Sequence, residues 1–516
     1  MENSRLKNSA LNFASGILGR MLSLLLNFAV RTAFIYCLDE AYLGVNGLYS
    51  NILTVLSLAE LGFGSAMVYR MYAPVAAKND QQTAALLHFY RQIYQIVGAV
   101  IFLLGLCVIP FMDYIIKDQP NVPGLTLYYV LFLLNTVCSY WFASYKGSVF
   151  SADQKDYIKT TTQNVVSILQ AVLQIILLLI FRKYLSYLLV QLGCNIFLNL
   201  YVAHLVNKRY PGLRAWRSAR LSREERRQIG KDAEALVLTR LGHVVLNGTD
   251  NIIISAVVGV LWVGRLSNYA LICDSITSML CQITSAITGS LGNFFATENR
   301  HAGYALFKKI DFLNFWLYGF SFLALALLLD PFVQLWVGER FLLGLPVSVA
   351  IALNFLVAGY MNTLWVFRST LGLFKQGKLR PVFVALLNIV FSILLGKLWG
   401  VFGVLIATFL SRALISLWYD PIILYKYGFE APVKPFFIRY LKRVLLLAAL
   451  FAVLFAARWL ILASGVTILR FVALALLIAV VPNAVFWLLF HRCEEYAYFR
   501  AILKTRVPAA LLRKRH

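Results

Sequence analysis

Apolar stretches of about 20 residues follow one another along almost the whole chain, separated by short polar breaks. A helix needs about that length to cross the roughly 30 Å hydrocarbon core of a bilayer. Inside hydrocarbon only helices and closed barrels satisfy every backbone N–H and C=O. Composition agrees: 60% of the 516 residues are hydrophobic and 14% charged, against about 25% charged in a soluble domain. The expectation is an all-α polytopic membrane protein. Its spans, about fourteen, are placed near 11–37, 42–69, 92–112, 123–145, 158–181, 184–206, 233–259, 264–296, 306–329, 342–367, 381–396, 400–419, 441–463 and 466–490.

The formal charge of +25 would suggest nucleic acid in a soluble chain. Here the position of the charge matters more. One alternating set of loops holds Arg5, Lys7, Arg70, Lys78, Arg91, Lys146, Lys155, the run from Lys208 to Lys231, Arg300, Lys375, Lys378, Lys426, Lys434, Arg439 and the tail from Arg500 onward. The other set holds only Lys117, Arg182, Lys183, Arg265, Arg340 and Lys397. The positive-inside rule assigns the rich set to the cytoplasm, and an even span count returns the C-terminus to the side of the N-terminus. The charge is then topological, with some attraction to anionic inner-leaflet lipid, and no nucleic-acid partner is expected. The cysteines show neither disulfide nor metal spacing. No cofactor and no catalytic residue is expected. The first apolar segment, long and carrying Arg20 and Arg31, is not a cleavable signal.

The longest polar break, 207–232, contains nine basic residues and reads as a cytoplasmic linker with a short amphipathic helix over 221–227. It separates residues 1–206, a six-helix bundle, from 233–436, a second six-helix bundle. Residues 437–490 add two helices and 491–516 form a basic tail. The halves carry a short internal repeat: Gly47-Leu48-Tyr49-Ser50-Asn51 opens the second span of one, Gly264-Arg265-Leu266-Ser267-Asn268 the second span of the other. Transporters commonly pair such halves about an axis along the membrane normal, with the substrate between them.

Charged groups in hydrocarbon usually face a bundle interior or a watery cavity. At 3.6 residues per turn, Arg20, Asn27 and Arg31 form one stripe on the first span. Arg240, His243, Asn247, Asp250 and Asn251 share one side of the seventh. Both helices are the first of their halves, so the stripes are expected to face a common cavity. The plainer alternative is that Arg20 and Arg240 snorkel to the cytoplasmic interface, that Arg31 anchors the outer one, and that His243 is a structural hydrogen-bonding group. Asp250 has no stem to snorkel with. Glu60, in Ala59-Glu60-Leu61-Gly62, and Asp274, with Ser278 and Gln282 on its side of the eighth span, are further coupling candidates, with structural pairing as the alternative. A cationic cavity implies an anionic passenger. The arginine fork suits phosphate, and the Asn, Ser and Gln groups suit sugar hydroxyls.

Four segments carry a family resemblance: Leu58-Ala59-Glu60-Leu61-Gly62-Phe63-Gly64-Ser65-Ala66, Leu246-Asn247-Gly248-Thr249-Asp250-Asn251-Ile252-Ile253-Ile254-Ser255, Leu266-Ser267-Asn268-Tyr269 and Ser290-Leu291-Gly292-Asn293. The chain resembles bacterial polysaccharide and oligosaccharide-lipid flippases (Wzx-like) of the multidrug/oligosaccharidyl-lipid/polysaccharide exporter superfamily. The resemblance implies two six-helix bundles in a V and alternating access. It implies an undecaprenyl-diphosphate-linked oligosaccharide carried from inner to outer leaflet of the bacterial plasma membrane. Arg20, Arg31, Asn27, Arg240, His243 and Asn247 would bind diphosphate and glycan. Asp250, Glu60 and Asp274 would couple H+ or Na+. Glycan polymerase and glycosyltransferase would be partners. In related lipid II flippases the extra helix pair holds the lipid tail; Arg458 and Arg470 at its outer end depart from a purely apolar groove.

Three rivals stand beside this reading. A drug or cation antiporter of the same superfamily should present an acidic cavity. A polymerase or ligase should carry a large external loop. A non-transporting scaffold need not carry intramembrane polar stripes. No Walker-type Gly-rich loop ending in Lys-Ser/Thr occurs, so ATP is not the direct driver.

Overall fold

The structure is a computed structural model that describes residues 2–57, 63–117, 122–216, 219–297, 300–373, 376–377 and 379–501. Side chains are described for these except 2–18, 20, 63, 65–66, 214, 231–247, 282–297 and 300–301. Among these residues all regular structure is helical. The longer helices are α1 (Glu2–Cys37), α2 (Glu40–Leu56), α3 (Phe63–Ala76), α4 (Asp80–Val108), α5 (Leu125–Trp141), α6 (Asp156–Phe181), α7 (Tyr184–Arg209), α8 (Arg223–Val257), α9 (Val260–Thr297), α10 (Arg300–Val337), α11 (Leu345–Thr370), α12 (Arg380–Ser411), α13 (Lys434–Leu462) and α14 (Ile468–Phe490).

Among the described residues eight helical stretches are long and apolar enough to cross a membrane, or nine if the pair Leu125–Trp141 and Ser144–Ala152, bent by 50°, is one span. The chain is therefore an all-α polytopic membrane protein. One of the eight, Arg380–Phe429, is 50 residues long. At 1.5 Å per residue that is about 75 Å, more than two bilayer cores. It folds back inside α12 at Gly400, whose φ of 60° and ψ of −139° break the helix in a region glycine enters without steric penalty. The amide of Asn388 then donates to Thr408 Oγ1 at 2.8 Å across the break. The two spans expected at 381–396 and 400–419 thus correspond to two helices that meet at Gly400. Among the described residues α1–α3, α5, α8 and α9 stand outside this set of eight.

One expectation is corrected here. The short amphipathic helix over 221–227 is not separate. Ser222 caps the Glu225 N–H at 3.2 Å, Glu225 returns to the Ser222 N–H at 2.8 Å, and this capping box starts the 35-residue α8. No proline follows within it, so the helix runs on for about 52 Å, well past one bilayer core.

The chain divides into two compact units, Met1–Gly264 and Arg265–His516. In the first unit α1 packs on α6, α6 on α7, α5 on α4 and α7, and α8 on α2 and α3. Tyr49 and Tyr129 are fully buried at its centre, their rings 5.3 Å apart. The start of α9 crosses α2 at backbone distance. A Cβ on Gly44 would stand 2.2 Å from the Val260 carbonyl oxygen, and one on Gly264 2.7 Å from the Gly44 nitrogen. A Cβ on Gly47 would meet Val263 at 3.1 Å, so the opening glycines of both repeat tracts lie at this crossing. Nearby, Lys117 Nζ donates to the Val257 carbonyl at 2.9 Å and Ser255 Oγ to the Ile115 carbonyl at 2.9 Å. The lysine thereby caps the negative end of α8.

In the second unit α10 is the hub, packed on α11, α13 and α14. Its core gathers Phe307, Phe367, Leu424, Tyr425, Phe429 and Phe436. Trp316 Nε1 donates to Asn483 Oδ1 at 2.8 Å, which pins α14 to α10.

Candidate functional site: polar groups in the membrane helices

On α1 the described part of the expected stripe is Asn27, exposed, and Arg31, half-buried. Arg31 lies beside Tyr184 and Tyr187 in the first turn of α7. These belong to an aromatic cluster: Phe34 stands 5.6 Å from Tyr184 and 5.2 Å from Tyr187, and Tyr128 stands 4.9 Å from Tyr184. Tyr184 donates to Asn46 Oδ1 at 3.1 Å and is itself buried. Local sequence explains the placement. Arg182 turns the chain at φ 49° directly after α6 and Lys183 caps α7, so the tyrosines enter the bundle at once. The cluster gives Arg31 a rigid wall and restricts a flexible cation to one region of the helix surface.

Asp250 is half-buried on α8, the helix packed on α2 and α3. Asp274 is exposed on α9, in the unit that begins at Arg265. Asp250 and Asp274 therefore belong to different units. The backbone places Arg20 on α1, and Arg240, His243 and Asn247 on α8, but their side chains lie outside the described residues. Glu60 lies outside them altogether.

Sequence reasoning missed three buried charged clusters, all in the second unit. Asp311 on α10 accepts from Arg443 Nη1 on α13 at 2.6 Å, with Arg439 Nε at 3.9 Å. Arg439 Nη2 donates to the Tyr425 hydroxyl at 3.2 Å. Arg443 also stands 4.8 Å over the Phe315 ring. Farther along α10, Asp330 accepts from the Tyr269 hydroxyl at 2.5 Å, and that hydroxyl accepts from the Leu343 N–H at 3.0 Å. Arg458 Nε donates to the Leu327 carbonyl at 3.1 Å. The third cluster joins Arg368, Asp420 and Arg380. The available signal was three lone aspartates in apolar surroundings, each of which must find a donor or a cation.

Arg458, expected to disturb an apolar groove, is turned toward α10, and Arg470 Nη1 closes the α13–α14 turn on the Gly465 carbonyl at 3.0 Å. Between α5 and α7, Asn195 Nδ2 reaches Asn135 Oδ1 and Ser139 Oγ, both at 3.0 Å, and Asn199 Nδ2 reaches Asn195 Oδ1 at 3.1 Å. Such amide ladders join helices in membranes.

No family model and no curated protein matches the chain. Solved structures do. A structure described as the lipid II flippase MurJ in an inward closed conformation matches with a TM-score of 0.60 at 14% identity, covering 94% of this chain and 100% of that one. An inward-facing multidrug resistance MATE family transporter of the MOP superfamily matches with a TM-score of 0.58 at 14% identity, covering 81% of this chain and 99% of that one. A Vibrio cholerae MATE transporter matches with a TM-score of 0.53 at 12% identity, covering 82% and 99%. At these identities the likeness is one of fold, which this chain shares with those structures.

Proposed function

We propose that this protein is a flippase for a lipid-linked oligosaccharide, and that it turns an undecaprenyl-diphosphate-linked glycan repeat unit from the inner to the outer leaflet. The observation that carries the reading is the extent of the fold match. The lipid II flippase structure accounts for 94% of the chain and the MATE structures for 81–82%. The difference is about the size of α13 and α14 with their joining turn, a pair suited to a polyprenyl tail.

In this reading residues 1–206 and 233–436 are six-helix halves of a V, joined through 207–232, and the tail 491–516 is cytoplasmic with the N-terminus. The diphosphate enters from the cytoplasm and is held by Arg31 and Arg20, with Asn27, Arg240, His243 and Asn247 on the glycan side. Arg31 against its tyrosine wall supplies a fixed cation; the half-exposed helix around it supplies access. Rocking of the halves then presents the headgroup outward while the tail stays in lipid. Asp250, Glu60 and Asp274 are the positions for coupling to H+ or Na+. No covalent step is required, so the protein is read as a transporter of the bacterial plasma membrane. It would work beside the glycosyltransferases that build the glycan and the polymerase that extends it.

The test is the leaflet orientation of a fluorescent polyprenyl-diphosphate oligosaccharide in proteoliposomes. The native protein is expected to move it, the Arg20→Ala/Arg31→Ala variant not. The likeness to MATE transporters favours one second reading, export of a cationic drug. Drug movement with no lipid movement would establish that reading and end the first.

A further inference from the structure

Arg368 at the end of α11, Arg380 at the start of α12 and Asp420 beyond Gly400 meet in one cluster. Arg368 Nη1 pairs with one oxygen of Asp420 and Arg380 Nη1 with the other. Arg368 Nη2 also donates to the carbonyls of Leu373 at 3.3 Å and Gln376 at 2.6 Å. The Arg368 and Asp420 side chains are 5% and 4% exposed and that of Arg380 is 14%. Two guanidiniums share one carboxylate, so the cluster holds an excess positive charge largely out of water. The Nε of both arginines is buried with no acceptor. Buried charge and buried donors left unmatched are each costly, and one anion with several oxygens would answer both.

The surrounding backbone is unusual. Asp420 lies in the helical segment Leu417–Ile423, flanked by π-helical Arg412–Ser416 and Leu424–Phe429. π-helical turns occupy well under 1% of residues and gather at functional sites. The surface over the cluster is apolar and aromatic: Leu379, Phe383 and Trp418 are about 60% exposed and Tyr419 about 40%. In a membrane protein such a surface faces lipid, and Trp and Tyr mark the headgroup level. In the sequence Lys375 and Lys378 fall in the basic set of loops that the positive-inside rule assigns to the cytoplasm.

We propose that Arg368 and Arg380, braced by Asp420, form a binding site for the phosphate headgroup of an anionic inner-leaflet phospholipid, whose acyl chains lie over Phe383 and Trp418. Basic pockets between spans on the cytoplasmic side bind such headgroups, and the arginine fork matches phosphate oxygens two at a time. Its cations, in the second unit, are not those of the α1 stripe to which the proposed function assigns the transported lipid.

The experiment titrates the full-length protein in detergent with phosphatidylglycerol, phosphatidylcholine, inorganic phosphate and a polyprenyl diphosphate. Native mass spectrometry reads lipid retention, and thermal unfolding reads stabilisation. Phosphatidylglycerol is expected to bind at least tenfold more tightly than phosphatidylcholine. Arg380→Gln should erase that preference, and Arg380→Lys should keep only part of it. Equal binding of the two phospholipids by the native protein, which needs no variant, overturns the proposal. So does an unchanged preference in Arg380→Gln. Stabilisation by inorganic phosphate equal to that by phosphatidylglycerol overturns the lipid assignment. Displacement by the polyprenyl diphosphate at matched concentration assigns the site to the transported lipid and overturns it likewise.

Discussion

Arg443 Nη1 stands 2.6 Å from Asp311 Oδ2, and the two side chains are 7% and 4% exposed. The pair binds α13, the first helix beyond the two expected six-helix halves, to the hub helix α10. Removing one partner of a buried pair strands the other charge and typically costs about 3–5 kcal/mol. Asp311→Leu should lower stability by about that amount, whereas Asp311→Leu/Arg443→Met should recover most of the loss. Thermal unfolding in one detergent, comparing single with double variant, checks this. A double variant as unstable as the single would show that the pair does more than satisfy itself.

The crossing of α2 with the start of α9 tolerates no side chain. Gly44→Ala places a Cβ 2.2 Å from the Val260 carbonyl oxygen, so the helices must part, at a cost of about 1–3 kcal/mol. Gly193→Ala is the control. Nothing lies within 4 Å of its Cβ position, and an alanine there should be neutral or gain up to about 1 kcal/mol in helix propensity. Unfolding midpoints for the two variants should move in opposite directions or differ by several degrees.

Arg31→Ala should reduce lipid-linked oligosaccharide movement at least tenfold in proteoliposomes, an effect of about 1.4 kcal/mol or more. Arg31→Lys keeps the charge but not the fork and should fall between. Equal rates for native and alanine proteins would remove Arg31 from the substrate path.

Outside the membrane spans, Tyr210 donates to Asp153 Oδ2 at 2.5 Å. Burial, then this hydrogen bond and the carboxylate charge, push the Tyr210 hydroxyl well above its ordinary pKa. The folded protein therefore holds this proton more tightly than the unfolded chain, whose tyrosines titrate near pH ~10. The contact contributes its full stability below that pH and loses it as pH rises toward the folded value. Native protein should lose stability above about pH 10 more steeply than Tyr210→Phe. Parallel pH profiles would show that this tyrosine is not linked to folding.

Much of the architecture was legible because hydropathy is local. Each expected span rests on its own residues, and helices cover most of each one. The clearest departures are local too. The linker helix merged into α8 because the capping box at Ser222 opens a helix that no proline then stops. The spans at 381–396 and 400–419 meet with no connecting loop because glycine at 400 turns the chain by itself. The site was less legible. The stripe rule singled out Arg31 and Asp250, which carry charge on helices of mixed character. It passed over Asp311, Asp330 and Asp420, whose partners lie on other helices. Periodicity reports which residues share a face, not what that face meets.

The amino-acid order alone determined the solvent this protein lives in, its helical character and the bias of its basic loops, because apolar length and loop charge act segment by segment. Only the tertiary structure decided which charges meet. Asp311 and Arg443 are 132 residues apart and Arg368 and Asp420 are 52 apart. Their pairing exists because packed helices bring them within hydrogen-bonding distance in a medium with no water to satisfy either one. The same holds at Gly44 and Gly264, where the missing side chains have meaning only once two backbones touch.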